Sequence, residues 1–369
     1  MKDFYSFDES SIPYWVSTLF WLIYVAVFVY AVRKTQLSKT RHKQQTDITY
    51  LFGVFFALYA VFYCINPDYF RYREWLNTED IGDWDKEKFY FYLALFCRSL
   101  PFDYSFEVFR LIVWGGGIFI VYQTFRMYRE LLLPGLSLLL LFVLYAGVFS
   151  YARASLAMAV YFIGIAFFLL HDKKVLKLLG IVIALPSIYL HREMVIGIAV
   201  LPFLFIPLER KKYSFFSVIL LLIVIFSISF VSSNLEYLDQ MFDNDDISTK
   251  MEEVNEKGQG AFRLSTLIKY LNFFYPFFLI TKYLRKRIVP HSVVGMYRVA
   301  YGILMASVAF MFVFGLRSVY TYRVMYISMI PLTLLIGYGY CHGYFTKKQF
   351  LIIMILALLT NSSRIINAQ

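Results

Sequence analysis

Charge is scarce in this chain, and that scarcity excludes a water-soluble architecture. Asp, Glu, Lys and Arg make up only 17% of 369 residues, hydrophobic residues make up 60%, and mean hydropathy is +0.60. A soluble fold needs a polar exterior that this composition cannot supply, so lipid must solvate most of the surface. Cysteine is nearly missing. Cys64, Cys97 and Cys341 follow no spacing pattern and are odd in number, which excludes a disulfide framework and a cysteine-based zinc site. No phosphate-cradling glycine loop and no serine nucleophile elbow occurs; Gly115-Gly116-Gly117 lies inside an apolar run, where it allows close packing or bending. The apolar runs are continuous rather than alternating, which argues against a membrane β-barrel.

What is present is a series of long apolar stretches. A helix crosses the hydrocarbon core in about 20 mostly apolar residues. Twelve stretches qualify: 14–32, 48–65, 106–125, 131–149, 154–170, 175–190, 194–208, 213–231, 262–281, 293–316, 324–342 and 349–366. The sixth and seventh are short and flank His191-Arg192-Glu193, and the last is apolar only to about Leu359. The expected fold is all-α, a polytopic membrane protein of about 12 transmembrane helices forming one domain over 1–369. The first stretch reads as a retained span rather than a cleaved signal, because acidic residues precede it and the basic cluster follows it.

The net charge of +11 invites a nucleic-acid reading, but the positions of the charges account for it. The odd-numbered gaps between spans carry Arg33, Lys34, Arg126, Lys173, Lys174, Arg210, Lys211, Lys282, Arg285, Lys347 and their basic neighbours. With Arg298, that side holds 20 basic residues against four acidic ones, leaving 16 basic and 21 acidic for the other. Basic loops stay in the cytoplasm. Both termini are therefore expected outside, and no nucleic-acid partner is needed.

The outer loops are unequal. The loop over 66–105 contains Asn66-Pro67-Asp68-Tyr69-Phe70-Arg71-Tyr72-Arg73-Glu74 and an apolar piece at 89–99 that is too short to span, read as an interfacial helix. The loop over 232–261 is acidic and reads as a mobile surface. Asp83-Trp84-Asp85 matches a two-carboxylate metal pattern, but such triplets arise by chance in acidic loops, and no metal is expected. The short outer gaps each place an arginine at the membrane boundary, Arg153, Arg192, Arg317 and Arg323, and none holds a lysine. Guanidinium grips phosphate oxygens in pairs and stays charged when partly desolvated. Any one of these arginines can snorkel to lipid headgroups by itself. As a set they suggest an anion site. His191 is the one outer histidine of five, and imidazole is suited to proton transfer near neutral pH. Glu193 lies close, although positions i and i+2 do not share a helix face, so no His–Glu dyad is expected.

These residues resemble the EpsG-type, Wzy-like polysaccharide polymerases of bacteria. The resemblance rests on Pro67-Asp68-Tyr69-x-x-Tyr72, Arg153-x-x-Leu156-Ala157, His191 and Arg323-x-x-Tyr326, and it covers nearly the whole chain in layout. It implies polymerisation of polyprenyl-pyrophosphate-linked oligosaccharide repeat units on the outer face of the bacterial cytoplasmic membrane. No cofactor is required, because the energy resides in the sugar–phosphate bond. In that reaction Arg153, Arg192, Arg317 and Arg323 would hold pyrophosphate. His191 would act as base, with Asp68 and Glu193 as substitutes, and Tyr69, Arg71, Tyr72 and Tyr326 would hold glycan. The partners implied are the lipid-linked oligosaccharides, membrane lipids and a chain-length regulator. Another lipid-linked glycosyltransferase, an O-antigen ligase or a glycolipid flippase would share many of these features. A flippase should also show internal repeats and charges at the midplane, and here the polar groups gather at one face.

Overall fold

The computed structural model describes residues 14–37, 76, 88–101, 104–145, 152–210, 264–314 and 319–366. Among them every regular element is helical. In lipid an isolated segment can satisfy its backbone N–H and C=O groups only within a helix, which is what continuous apolar runs lead to. In chain order the helices are α1 (Tyr14–Leu37), α2 (Lys88–Arg98), α3 (Ser105–Met127, with a π-helical turn over Leu111–Gly115), α4 (Pro134–Tyr145), α5 (Ala152–Leu170) and α6 (Lys174–Ala184). There follow α7 (Ser187–Leu190), α8 (Met194–Ala199) with a 3-10 turn over Leu201–Phe205, α9 (Leu264–Leu284), α10 (His291–Phe314), α11 (Val319–Ile327), α12 (Met329–Cys341) and α13 (Lys347–Ile366).

Three stretches are long and apolar enough to cross a membrane: Ser105–Met127, Arg153–Leu170 and His291–Met311. Thr321–Ile327 with Met329–Cys341 makes a fourth if the bent pair is one span. The break between α11 and α12 follows from Pro331, which has no N–H to give to the carbonyl of Ile327 and whose ring crowds it. Ser328 closes the turn, its Oγ donating to the Met325 carbonyl at 2.6 Å. Helices α1, α9 and α13 run 24, 21 and 20 residues and coincide with the first, ninth and twelfth expected spans. The expected sixth and seventh spans are realised as shorter pieces, α6 with α7 and α8 with the 3-10 turn. Pro186 and Pro202 each open a new piece. The expected second and eighth spans, 48–65 and 213–231, and the loop over 232–261 lie outside the described residues.

The described helices group into two compact units, Met1–Met194 with Thr333–Gln369, and Val195–Leu332. In the first unit α4 is the core. All twelve of its residues are buried, as expected for a helix apolar all round. Its last carbonyls, which no intrahelical N–H can reach, are met from outside. Tyr24 Oη donates to the Val143 carbonyl at 2.8 Å, and Asn361 Nδ2 donates to the same carbonyl at 2.9 Å. Trp21 Nε1 donates to Ser362 Oγ at 2.9 Å. This explains why α13 continues past Leu359, where its apolar character fades: both Thr360 and Asn361 are buried, Asn361 closing the end of α4 while Thr360 Oγ1 donates to the Leu356 carbonyl of its own helix at 2.8 Å. Helix α5 packs against α3 and, most extensively, against α6. A Cβ on Gly164 would stand 2.6 Å from the Ala184 nitrogen, and one on Gly180 would stand 2.6 Å from the Phe168 nitrogen. Only glycine lets the two backbones approach that closely.

In the second unit α10 packs against α11 and the 3-10 turn. Arg298 ties the segment after that turn to α10. Its Nε donates to Glu209 Oε2 at 3.0 Å, Nη2 to Oε1 at 2.8 Å and Nη1 to the Leu204 carbonyl at 2.8 Å. Burial would raise the Glu209 carboxyl, but the Arg298 hydrogen bonds and charge outweigh it and hold the group below its ordinary value.

Candidate functional site at the Arg153 end of the first unit

The His191 segment is a turn, and this corrects the expectation drawn from helical spacing. Helix α7 ends at Leu190, and His191 takes an extended conformation (φ −159°, ψ 120°). Residues 191–193 then form a turn, with Met194 N donating to the His191 carbonyl at 3.0 Å. In a turn, side chains two positions apart can point the same way, which a helix forbids. His191 Nε2 and Glu193 Oε2 are 3.2 Å apart, with side chains 15% and 20% exposed. They form the dyad that the i to i+2 spacing argued against. Arg192, between them, is exposed.

The close glycine contacts fix how deep this turn lies. In the antiparallel α5–α6 pair, Phe168 faces Gly180 and Gly164 faces the stretch from Gly180 to Ala184. Continued through α7, which packs against α5 and α2, that register brings His191 to about the level of Leu156. Gly117 of α3 meets α5 at the same level: a Cβ there would stand 3.4 Å from Leu156 Cα. Arg153, the second residue of α5, sits about one turn, or about 4.5 Å, beyond this level on the side away from the His171–Lys174 turn. From Lys174 to Leu190 the chain rises only about 25 Å, less than the about 30 Å of a hydrocarbon core. On this register Arg153 lies about one turn of α5 from the level of the dyad.

A cation at the start of a helix works against the positive end of the helix dipole, so Arg153 adds charge where the field is already positive. Its carbonyl accepts a hydrogen bond of 3.1 Å from Tyr90 Oη of α2. The Tyr90 ring in turn meets Phe109 edge-on at 6.5 Å, bringing α3 to the same place. The residue after Phe109 is Arg110, which sequence reasoning did not single out. It is 1% exposed although it lies within a membrane-length apolar helix. Its guanidinium carbon is 5.6 Å from the ring centroids of both Phe106 and Trp114, one turn before and one turn after it. Such contacts contribute about 0.5–2 kcal/mol each. A π-helical turn follows directly, a feature frequent at functional sites. The readable signal was a lone arginine inside the third apolar run with aromatic residues four positions to either side.

Helix α2 occupies the stretch read as an interfacial element. Tyr90, Ala94 and Cys97 are buried, and Phe89, Tyr92, Leu95 and Phe96 are exposed. Burial pushes the Cys97 thiol up to about 11.

Arg323 and Tyr326 belong to the second unit, both on α11. Tyr326 is buried and its ring lies 5.7 Å from Phe273 of α9. Asp68, Tyr69, Arg71, Tyr72, Arg317 and the Asp83-Trp84-Asp85 triplet lie outside the described residues. Two of the histidines assigned to the cytoplasmic side have evident structural work. His171 Nδ1 lies 2.9 Å from the Phe167 carbonyl and His342 Nδ1 lies 2.9 Å from the Tyr338 carbonyl, each at a helix end.

Against known proteins, residues 48–363 match the model described as the EpsG family. No curated protein and no solved structure matches the chain.

Proposed function

The chain belongs to the EpsG family, a group of membrane proteins of polysaccharide biosynthesis with polymerase-like character, and from that premise we propose that it joins polyprenyl-pyrophosphate-linked oligosaccharide repeat units at the outer face of a bacterial cytoplasmic membrane. The donor is a growing glycan on its lipid pyrophosphate, and the acceptor is one lipid-linked repeat unit. The acceptor hydroxyl attacks the anomeric carbon of the donor. A new C–O bond forms, the bond from that carbon to the pyrophosphate oxygen breaks, and the hydroxyl proton passes to the His191–Glu193 pair. Single displacement inverts the anomeric configuration. The leaving pyrophosphate gains negative charge in the transition state, and Arg153 and Arg192, together with the N-terminal N–H groups of α5, are suited to stabilise it. Asp68 remains a substitute base, and Tyr69, Arg71 and Tyr72 candidate glycan contacts.

The observation that carries this reading is a largely buried His–Glu pair in the same unit as Arg153, toward the Arg153 end of α5. A transition state of this kind needs an anion clamp and a proton acceptor within a few ångströms of the same atom. Purified protein supplied with synthetic lipid-linked repeat units tests it. A ladder of products spaced by one repeat unit supports a polymerase. A single addition to a different acceptor supports a ligase or another lipid-linked transferase. Movement of intact substrate across a proteoliposome membrane without elongation supports a flippase.

A further inference from the structure

The outward side of α6 and α7, in the first unit, is a single line of large apolar side chains. Val175, Leu178, Val182, Leu185 and Tyr189 recur every three or four residues, and all are exposed, Tyr189 by 82%. The line is unbroken because Leu185 and Pro186, at the joint, both keep right-handed helical backbone. The opposite side is small: Gly180 and Ala184 are buried against α5. Helices that associate inside a membrane put small residues between them. The α5 side is therefore the helix contact, and the large-residue side faces acyl chains rather than a second copy of the chain.

That lipid-facing line is short. From Val175 to Tyr189 it rises about 21 Å, and tilt only shortens its reach along the bilayer normal, whereas a hydrocarbon core is about 30 Å thick. Polar groups close both ends. Lys173 and Lys174 are exposed before it, and Lys177 Nζ lies 5.8 Å from the Phe168 ring, which keeps a charge at that level of α5. After it come the His191–Glu193 pair and the exposed Arg192. Tyrosine marks the membrane–water interface, so Tyr189 sets the outer limit of the apolar zone, and α2, which packs against α7, also exposes Phe89, Tyr92 and Phe96. Elsewhere in the unit the length is ordinary: Ser105–Met127 of α3 rises about 34 Å, with Phe119 exposed near its middle. Around α6 and α7 a core of full thickness would press about 9 Å of hydrocarbon onto polar residues. Lysine and arginine can snorkel out of it, but the backbone of the 191–193 turn cannot, and lipid-exposed irregular backbone is the costlier alternative to a thinner bilayer. We propose that α6 and α7 form a membrane-thinning flank whose partner is the bilayer itself, with the outer headgroup plane drawn down to the His191 turn. An amphiphile's headgroup then reaches that turn without leaving its leaflet. This purpose rests on the polymerase reading; the thinning rests on the length and polarity of the flank alone.

Nitroxide labels report the depth of the flank directly. In the full chain with its three cysteines replaced by serine, Val175→Cys, Val182→Cys and Tyr189→Cys each carry one label, with Phe119→Cys as the reference. The protein sits in liposomes of dioleoyl or dierucoyl phosphatidylcholine, and relaxation by oxygen against a water-soluble nickel chelate gives the depth. In dioleoyl lipid the labels at 175 and 189 should both read at the headgroup level and the label at 182 between them should read deeper. In the thicker dierucoyl bilayer the label at 119 should sink, and those at 175 and 189 should sink by less than half as much. End labels that sink as far as the reference overturn the proposal, because the bilayer then ignores the flank. Labels that neither relaxant reaches overturn lipid as the partner and indicate a second copy. Equal access of the chelate to 175, 182 and 189 overturns it as well, because the face is then in water. If an end variant melts below the wild type, Leu178→Cys and Leu185→Cys carry the test by the same criterion. The readings need no turnover, so a thinned flank in a protein that grows no ladder leaves this inference standing and overturns only the polymerase reading.

Discussion

His191 and Glu193 hold each other at 3.2 Å across a turn, and neither residue could reach the other from a helix. In the proposed reaction the carboxylate would orient the ring and stabilise the imidazolium as it takes up the proton, so removing either partner should impair the same step. His191→Gln should lower kcat for chain extension by about 10²–10⁴-fold. Glu193→Gln should have a smaller effect, and the double variant should be little worse than His191→Gln. Steady-state elongation of a defined lipid-linked substrate reads all three. Effects that multiply in the double variant would mean the residues act separately.

The depth of that turn depends on the α5–α6 contact, which predicts a coupling between a distant glycine and the site. Gly180→Val places its Cβ 2.6 Å from the Phe168 backbone, where no rotamer can relieve the clash. The helices must part, destabilising the fold by about 1–3 kcal/mol. Thermal unfolding in detergent should register the loss, and elongation should fall although residue 180 touches nothing reactive. Substitution at Gly116, whose Cβ would meet nothing within 4 Å, is the matched control and should do neither.

Tyr90 is the link between α2 and the start of α5, and the native Cys97 reports on it. With the thiol buried and held at about 11, alkylation near pH 8 should be slow. Tyr90→Phe deletes the hydrogen bond to the Arg153 carbonyl. In a background with Cys64→Ser and Cys341→Ser, labelling of Cys97 by a maleimide should speed up several-fold. An unchanged rate would show that α2 is held by its apolar face alone.

The helical nature of the described residues was legible in the sequence because lipid leaves isolated apolar runs no alternative. The boundaries of α3, α5 and α10 followed closely from run length. The pieces at α6 through the 3-10 turn were harder to read. Pro186 and Pro202 cut the runs, and apolarity alone does not tell a span from a helix that stops partway. Arg153, His191 and Arg192 were singled out by their type and position. The His191–Glu193 pair was missed because the helical rule was applied to residues that form a turn. Arg110 was missed because it lies inside an apolar run, where only the rings one turn away reveal what holds the charge.

Arg298 and Glu209 were counted as opposing charges on the basic side, and they cancel as a bidentate pair. Glu209 is held below its ordinary value, so its contribution to stability is complete above that value and is lost as pH falls through the lowered one. Glu209→Gln should therefore lower the melting temperature by a few degrees near pH 7, and the gap from wild type should close in acid. Melting curves at pH 7 and at a series of pH values descending below the ordinary glutamate range check this. A gap that widens in acid would contradict the sign.

The most direct test of the site is chain growth by purified Arg153→Ala and His191→Ala proteins on synthetic lipid-linked repeat units. Loss of an anion-stabilising donor should slow elongation by about 10²–10³-fold. Both variants should lose the product ladder while expressing and melting like the wild type. A ladder within twofold of normal in both would contradict the account, leaving Arg153 as a headgroup anchor and His191 as part of a turn.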